Sequence, residues 1–242
     1  MISREETGGT RERLIEAALF LFWERGYAAT GVAEILERAK ARSGSFYYFF
    51  PSKEDLLLAV LQRYIDTLEL VVTGPVFAQI EDPIERIFGI LTFYRQNLIA
   101  TGCTYGCPIG RLALEIPEQQ LKVHGMLAAN FAGWTFAIEQ CLLDAKDRLP
   151  PDLNERTLAQ FVLTVMEGGV MQARTHRSLG PFDASVRHLR EYFDLLLEQA
   201  SRAGMPKEEK PKPKEEKPKQ GKLKPGKIKR GKPQERKTPN SP

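Results

Sequence analysis

The stretch of sequence that decides the fold is residues 10–61, which read TRERLIEAALFLFWERGYAATGVAEILERAKARSGSFYYFFPSKEDLLLAVL. Apolar residues recur in it every three or four positions, which is the period of an amphipathic helix. Thr30 is of the type that caps a helix, Ser43 begins the next helix, and Ser52 caps another. The two short helices that residues 40–42 join have the proportions of a helix-turn-helix.

The rest of the chain, up to about residue 203, also has the pattern of helices separated by short turns. We find no sustained alternation of apolar and polar residues, and Leu, Ala, Glu, Arg and Gln dominate. Start and stop signals predict further helices at 52–74, 83–100, 109–115, 117–149, 154–178 and 181–203. The sequence therefore predicts an all-α protein with an N-terminal three-helix helix-turn-helix domain at 1–52 and a second helical domain at 53–204.

The last 38 residues differ in composition from everything before them. They hold 14 Lys and Arg, 5 Asp and Glu and 8 Pro but no aromatic residue, so they bury too little to offset the entropy of ordering. We therefore predict that residues 205–242 form a disordered, Lys/Pro-rich tail. The tail has two interpretations: a solvated appendage without a partner, or a segment that adds sequence-independent contacts to phosphates.

The formal net charge of +4 comes from this tail, because residues 1–204 contain 21 basic and 26 acidic residues. One stretch of the folded part departs from that balance, since residues 38–53 carry four cations and no acid. A local excess of positive charge favours contact with nucleic acid. The helix that begins at Ser43 starts with small residues that could approach base edges, and Gly44 removes a Cβ where backbone would meet DNA.

The aromatic run at residues 46–50 has two interpretations. Phe46 and Phe50, at positions i and i+4, fit a buried core segment. Five successive aromatic residues cannot all face inward on one helix, however, so some of them are exposed. If Tyr47 and Tyr48 are exposed, they can offer hydroxyl groups to phosphates and ring faces to thymine methyl groups.

Over their whole length, residues 10–61 resemble the N-terminal domain of TetR-family repressors. The most specific part is the Gly-Ser-aromatic-Tyr element followed by Phe-Pro-Ser-Lys-Glu. The resemblance implies an all-helical, dimeric regulator that binds double-stranded operator DNA and represses transcription until a small molecule binds its C-terminal domain. Two positions depart from the family pattern, Lys40 in place of a turn Gly and Phe49 in place of a common His. The implied DNA contacts are Thr30, Arg42, Ser43, Gly44, Ser45, Tyr47, Tyr48 and Lys53, with Arg42 and Lys53 as phosphate clamps.

By the same resemblance, residues 53–204 supply effector binding and dimerisation. The last two helices would form an intermolecular four-helix bundle, and Gly168-Gly169 would allow close approach of helices. The effector pocket would lie among the middle helices, although its aromatic and soft residues also fit an ordinary core. The expected pocket residues are Phe93, Tyr94, Cys107, Phe131, Trp134 and Met166, together with Phe136.

Cys103, Cys107 and Cys141 are too few and too unevenly spaced for a disulfide framework, so free thiols are expected. In some TetR-family regulators with a similar Gly-Cys segment, a cysteine reacts with electrophiles or oxidants. Cys107 lies near a predicted helix start, which would lower its pKa, and Arg174 could stabilise a thiolate. The alternatives are a buried, inert thiol and a metal ligand; no CxxC pair supports a metal, and we predict none.

Other classes of protein lack support in the sequence. We find no nucleophile triad, paired-carboxylate constellation, P-loop or Gly-rich nucleotide motif, so we expect neither an enzyme nor a bound cofactor. The charged N-terminus lacks a signal segment, and the apolar runs are too short to span a bilayer, which indicates a cytoplasmic protein without membrane contact. The remaining alternative to a DNA-binding regulator is a helical adaptor that binds only protein through the aromatic segment.

Overall fold

The computed structural model describes residues 9–204, and it confirms the all-α prediction. Ten α-helices follow one another in this range: α1 (Thr10–Arg25), α2 (Val32–Arg38), α3 (Ser43–Phe49), α4 (Lys53–Leu68), α5 (Gly74–Gln79), α6 (Pro83–Ala100), α7 (Pro108–Glu115), α8 (Leu121–Asp144), α9 (Glu155–His176) and α10 (Gly180–Gly204). The predicted tail at 205–242 lies outside the described residues. Within residues 9–204 no helix is both long and apolar enough to cross a membrane.

The first three helices enclose a small apolar core that α4 closes. Leu14 and Phe22 of α1, Ile35 of α2 and Phe46 of α3 are all buried in it, as is Phe50 just after α3. Phe46 and Phe50 thus occupy the core, as their spacing predicted. Burial of these large side chains is what holds two helices of only seven residues in place, because helices that short are not stable by themselves.

The helix caps agree with the sequence at three starts and differ at two. Ser52, Asp82 and Asn154 each accept a backbone N–H bond from the first turn of the helix they precede. The residues before α1 and α2 are glycines, however, so Thr10 and Thr30 are not the caps. Before α2, the N–H of Gly31 donates to the Glu34 carboxylate over 2.8 Å, and this bond takes the place of a side-chain cap.

The helical run that begins with α4 does not end at Gly74-Pro75, as the sequence had predicted. It passes through a wider π-helical turn at Glu69–Thr73 and continues as α5. Pro75 lies in the first turn of α5, where its missing N–H removes no hydrogen bond. Gly74 is required there, since a Cβ would lie 2.6 Å from the Glu69 carbonyl oxygen.

The helix α4 packs on α1 on one side and on α8 on the other. The predicted boundary after residue 52 falls at the start of this shared helix, and residues 9–204 form one compact unit. At the far side of the molecule, α9 packs along α10, and a Cβ at Gly169 would lie 3.1 Å from Cδ2 of Phe182. Gly169 therefore allows the close approach of α9 and α10 within the chain itself.

Candidate nucleic-acid interface and ligand cavities

The outer face of α3 presents small and aromatic residues to solvent. Tyr47 and Tyr48 are 61% and 82% exposed, while the preceding residue, Phe46, is buried. Ser43 and Gly44 are exposed, and Ser45 is half-buried. Of the predicted contact residues, the structure thus brings Ser43, Gly44, Ser45, Tyr47 and Tyr48 together on one exposed helix.

No intramolecular contact explains why residue 44 is a glycine. A Cβ built on Gly44 meets nothing within 4 Å, and the residue lies inside the helix. Glycine in a helix costs about 0.5–1 kcal/mol relative to alanine, so the fold gains nothing from its presence. A surface that must be approached closely by another molecule is one physical reason to keep a residue without a Cβ.

Two exposed cations, Lys40 and Arg42, lie just before the start of α3. Arg42 is the residue immediately before the helix, and its side chain makes no capping bond. Lys40 has a positive φ of 48° at the end of α2, where the N–H of Ala41 reaches the carbonyl oxygen of Leu36 over 3.0 Å. This is the left-handed helix-ending motif that glycine usually fills. Lys40, which stands in place of the turn Gly of the family pattern, therefore holds a backbone conformation that costs a residue with a Cβ some stability.

Two predicted DNA contacts have roles inside the fold. Thr30 is buried, and its hydroxyl donates to the Gly26 carbonyl over 2.7 Å, so the predicted DNA contact of its side chain is wrong. Nζ of Lys53 donates to the carbonyls of Tyr27 and Thr30 over 2.9 and 3.0 Å and lies 4.2 Å from the Tyr27 ring centroid. Lys53 thus fastens α4 to the turn between α1 and α2 and is a positioning residue more than a free clamp.

The interior cavity, as we call the first of two cavities, has a volume of about 780 Å³. Four of the predicted pocket residues line it, namely Phe93, Tyr94, Cys107 and Trp134. The Tyr94 and Trp134 ring centroids lie 5.4 Å apart. Its walls also include residues of α1 and α4 that the sequence analysis had missed, chiefly Glu12, Leu19, Trp23, Arg63, Tyr64 and Leu68.

The other predicted pocket residues lie elsewhere. Phe131 lines a second cavity between α7, α8 and α9, which we call the α9 cavity. Met166 lines neither cavity, because its side chain is buried in the packed core. Phe136 is 60% exposed on the outer side of α8. Neither cavity supports the predicted roles of these two residues in effector binding, because helical periodicity alone does not tell which side chains border a void.

Cys107 lies where the two cavities adjoin. It precedes the first residue of α7, and its Sγ accepts the N–H of Gly110 over 3.5 Å. Burial, reinforced by the nearby Glu167 carboxylate, raises the pKa of the Cys107 thiol. The predicted lowering of this pKa is therefore wrong, because desolvation outweighs the amides at the helix start. Cys103, Cys107 and Cys141 are free thiols, as expected.

The helix α7 is tied directly to the end of α1, which the sequence analysis did not anticipate. Arg111 pairs with Glu115 over 2.8 Å and donates to the carbonyls of Trp23, Glu24 and Arg25. Glu115 in turn accepts the N–H of Ala28 over 3.3 Å. A guanidinium at the carbonyl end of a helix is favourable. The interval of four between Arg111 and Glu115 was the only sequence signal for this link.

The polar residues near the cavities include no candidate metal centre. Among residues 9–204, no three His, Cys, Asp or Glu side chains lie close enough together to hold an ion. Glu167 is the acid that sequence reasoning missed, although it interrupts the apolar pattern of α9. Burial raises the pKa of Glu167, and its Oε1 has no hydrogen-bond partner.

An apolar surface runs along α9 and α10. Phe161 and Met171 of α9 and Tyr192 and Leu195 of α10 are exposed by between 40% and 62%. The rings of Phe161 and Tyr192 contact each other edge to face, with centroids 5.8 Å apart. Exposed large apolar side chains that lie together on two packed helices indicate an interaction surface.

Comparison with known proteins agrees with this arrangement. Residues 14–60 match the model of bacterial regulatory proteins of the tetR family, and residues 83–188 match that of the transcriptional regulator LmrA/YxaF-like C-terminal domain. The HTH-type transcriptional regulator MT0206 of Mycobacterium tuberculosis is 31% identical over 199 residues, which are 80% of this chain and 99% of that protein. The HTH-type transcriptional repressor DhaR of Mycobacterium sp. strain GP1 is 28% identical over 72% of this chain and 86% of its own.

Solved structures show the same fold. The regulatory protein TetR from Rhodobacter sphaeroides superposes with a TM-score of 0.66 at 25% identity, over 74% of this chain and 96% of that one. The two matched segments correspond to the helix-turn-helix unit with α4 and to the helices around the cavities, which favours operator binding over the alternative of a protein-binding adaptor. The chain belongs to the TetR family of ligand-responsive, DNA-binding transcriptional regulators.

Proposed function

We propose that the chain is a homodimeric repressor that leaves its operator when a small, largely apolar molecule occupies the interior cavity. The observation that carries this proposal is the position of α4. Lys53 at its start holds the α1–α2 turn of the DNA-binding unit, while Tyr64 and Leu68 further along the same helix line the cavity. A molecule that displaces the cavity end of α4 also displaces the end that holds the helix-turn-helix.

The proposed DNA contacts come from the exposed face of α3 and the residue before it. Tyr47 and Tyr48 would give hydroxyls to phosphates or ring faces to thymine methyls, and Ser43 and Ser45 are short enough to reach base edges. The Arg42 side chain is exposed and free to contact a phosphate. In this arrangement the side chains at the start of α3 recognise the DNA bases. Arg42, just before the helix, holds the protein in register by binding a phosphate. The chromosome is the target, so we place the protein in the cytoplasm.

The proposed dimer forms through the apolar surface of α9 and α10. Two copies that pair along these helices would cover Phe161, Tyr192 and Leu195 in a four-helix contact. Gly168 supports this, since a Cβ there meets nothing within 4 Å and the backbone is open to a partner helix. A symmetric dimer carries two α3 helices, which is what two half-sites about one helical turn apart require.

The proposed effector is a neutral molecule with an aromatic or apolar body. Trp23, Phe93 and Trp134 give the interior cavity ring surfaces, and the Tyr64 and Tyr94 hydroxyls supply polar contacts. Desolvation by burial raises the pKa of both tyrosines, so these hydroxyls stay protonated donors near neutral pH. The volume of about 780 Å³ lies in the range of small-molecule sites.

We place effector binding ahead of cysteine modification as the release signal. The thiolate is the reactive form of cysteine, and burial together with Glu167 disfavours the thiolate of Cys107. A buried thiol with a raised pKa reacts slowly with electrophiles. The effector therefore acts by occupying space beside Cys107 and not by bonding to its sulfur.

Footprinting on the DNA upstream of the protein's own gene tests the proposal. Protection should cover two half-sites related by twofold symmetry. Arg42→Gln and Tyr47→Ala should each weaken operator binding by about 1–3 kcal/mol, the usual value of a lost phosphate or base contact. Arg202→Gln is the matched control, because Arg202 is exposed near the end of α10 and, among residues 9–204, pairs with Glu198 one helical turn away.

Three outcomes decide between the parts of the proposal. Unchanged affinity in both Arg42→Gln and Tyr47→Ala would contradict the contact map. A small apolar ligand that binds and also removes the footprint supports release through the interior cavity, provided that Leu68→Trp, which fills the cavity, weakens its effect. Rapid loss of the footprint on alkylation at pH 7 would instead establish Cys107 modification as the signal.

A further inference from the structure

The α9 cavity differs from the interior cavity in its charge. It has a volume of about 790 Å³ between α7, α8 and α9, and three arginines line it: Arg111, Arg174 and Arg177. The only acid in the lining is Glu167. The remaining wall is largely apolar, formed by Ala113, Leu114, Phe131, Leu163, Val170 and Met171.

Two of the three arginines already have partners. Arg111 is bonded to Glu115 and to the carbonyls at the end of α1. Arg177 donates to the Cys103 carbonyl over 3.3 Å. Arg174 is different, because within residues 9–204 its guanidinium makes no hydrogen bond or ion pair, and its Cδ lies 3.6 Å from the Cβ position of Gly106.

The electrostatic surroundings of Arg174 disfavour its charge. Partial burial lowers the pKa of Arg174, and the neighbouring charges of Arg111 and Arg177 lower it further, against a smaller opposing effect of Glu115. Guanidinium groups stay charged in proteins, so Arg174 does not escape this repulsion by losing its proton. The ligand-free protein therefore retains an unfavourable electrostatic energy at this site. An anion that binds beside Arg174 would relieve this repulsion and supply the missing hydrogen-bond acceptors.

Glu167 is one acid beside three guanidinium groups, so the lining keeps a net positive charge. Burial raises the pKa of Glu167, which favours its neutral form, and its Oε1 lacks a partner. A protonated Glu167 can donate a hydrogen bond to an oxygen of a ligand, whereas an ionised one would repel an anion. The polar end of the cavity thus offers the permanent charge of Arg174 and, when Glu167 is protonated, a hydrogen-bond donor. Both lie beside an apolar wall.

We propose that the α9 cavity is a binding site for a small organic acid, with its carboxylate on Arg174 and its apolar body against Phe131, Leu163 and Met171. The site adjoins the interior cavity at Cys107 but is lined by different charged side chains, and it does not depend on the effector proposed there. It also adjoins the link to the DNA-binding unit, since Arg111 lines the cavity and holds the end of α1.

Matched acids and amides of the same shape test this site. The probes are phenylacetate, 4-phenylbutyrate and hexanoate, each compared with its primary amide by calorimetric titration of the full-length protein. The ε-methyl resonance of Met171 reports location, because this residue lines the α9 cavity and not the interior cavity. We expect the acids that bind to do so at least about tenfold more tightly than their amides, as for a hydrogen bond to a charged group, and to shift the Met171 signal.

Arg174→Gln should reduce acid affinity to that of the amide. Arg156→Gln, the same change at an exposed position on the same helix, should leave it unchanged. The proposal is overturned if amides bind as well as acids, if no probe shifts the Met171 methyl, or if Arg174→Gln retains the preference for acids. The comparison of acid with amide uses the unmodified protein, so it remains decisive even if a variant folds poorly. Operator affinity without ligand tests the repressor function separately.

Discussion

The outer face of α3 and the wall around Cys107 contain similar residues and use them in opposite ways. On α3, Tyr47 and Tyr48 extend into solvent, and within residues 9–204 their hydroxyls form no hydrogen bond. Around Cys107, Tyr94 is buried, and α7 is bonded through Arg111 to the end of α1. The α3 face keeps its polar groups for DNA, whereas Arg111 beside Cys107 uses its guanidinium to hold α7 on the end of α1.

This difference predicts how stability and function separate in the two regions. A side chain that has no partner inside the chain can be changed at little cost in folding free energy, so α3 variants should lose DNA binding selectively. A side chain that joins α7 to α1 contributes to both folding and the position of the helix-turn-helix. Variants there should lose stability and operator affinity together.

The sharpest test lies within α3 itself. Phe46→Ala should lower the free energy of unfolding by about 3–5 kcal/mol, because a fully buried ring is replaced by a cavity. Tyr48→Ala, two positions away on the exposed face, should change it by no more than about 1 kcal/mol, the loss of an exposed edge-to-face contact with the Phe49 ring. Urea unfolding followed by circular dichroism measures both. A large destabilisation by Tyr48→Ala would show that the exposed aromatic residues belong to the fold after all.

A second test concerns the link between α7 and α1. Arg111→Gln removes the ion pair with Glu115 and the charged donor to the carbonyls of Trp23, Glu24 and Arg25. The Arg111 side chain is only 19% exposed, so we expect a loss of about 2–3 kcal/mol in unfolding free energy, together with weaker operator binding.

Arg202→Gln serves as the control for this second test, because its pair with Glu198 is exposed and contributes about 0.5 kcal/mol or less. If Arg111→Gln retained full stability, the link would be a surface contact, and the contrast between the two regions would not hold. If it lost stability but kept its operator affinity at low temperature, α7 would support the fold without positioning the helix-turn-helix.

The helix-turn-helix could be predicted from sequence because its signals are local. Ser52 caps α4 within three residues of its bonding partner, and Phe46 and Phe50 define the buried face of α3 by their spacing. Thr30 shows the limit of such reasoning. A threonine next to a helix start gives the same sequence signal whether its hydroxyl faces DNA or bonds inside the fold. In the structure the Thr30 hydroxyl donates to the carbonyl of Gly26.

The cavities could be predicted only in part, because a void is a property of packing between distant segments. Phe93, Tyr94 and Trp134 were recognised as aromatic residues of the middle helices, but nothing in the sequence distinguished them from Met166, which is in the core. The pKa of Cys107 was predicted in the wrong direction for the same reason. Its helix position is local, whereas the burial that decides the pKa comes from packing against distant segments, and the Glu167 carboxylate comes from α9.

Gly44→Ala has the smallest expected effect on stability, yet it tests the comparison most closely. It should raise the free energy of unfolding and at the same time lower operator affinity. Gly44→Ala places a methyl group where nothing lies within 4 Å, and alanine favours the helix, so unfolding free energy should rise by up to about 1 kcal/mol. The same methyl would occupy space that DNA must enter, so operator affinity should fall. Fluorescence anisotropy with a labelled operator measures the affinity, and urea unfolding measures the stability.

Gly125→Ala is the matched control for this substitution. Gly125 also lies within a helix and has no atom within 4 Å of its Cβ position, but it is on α8, away from the α3 face. It should gain similar stability without losing affinity for the operator. If both variants bound DNA equally well, the absence of a Cβ at residue 44 would have no role in recognition. Opposite changes in stability and affinity at Gly44 alone would show that this position gives up folding free energy to let DNA approach.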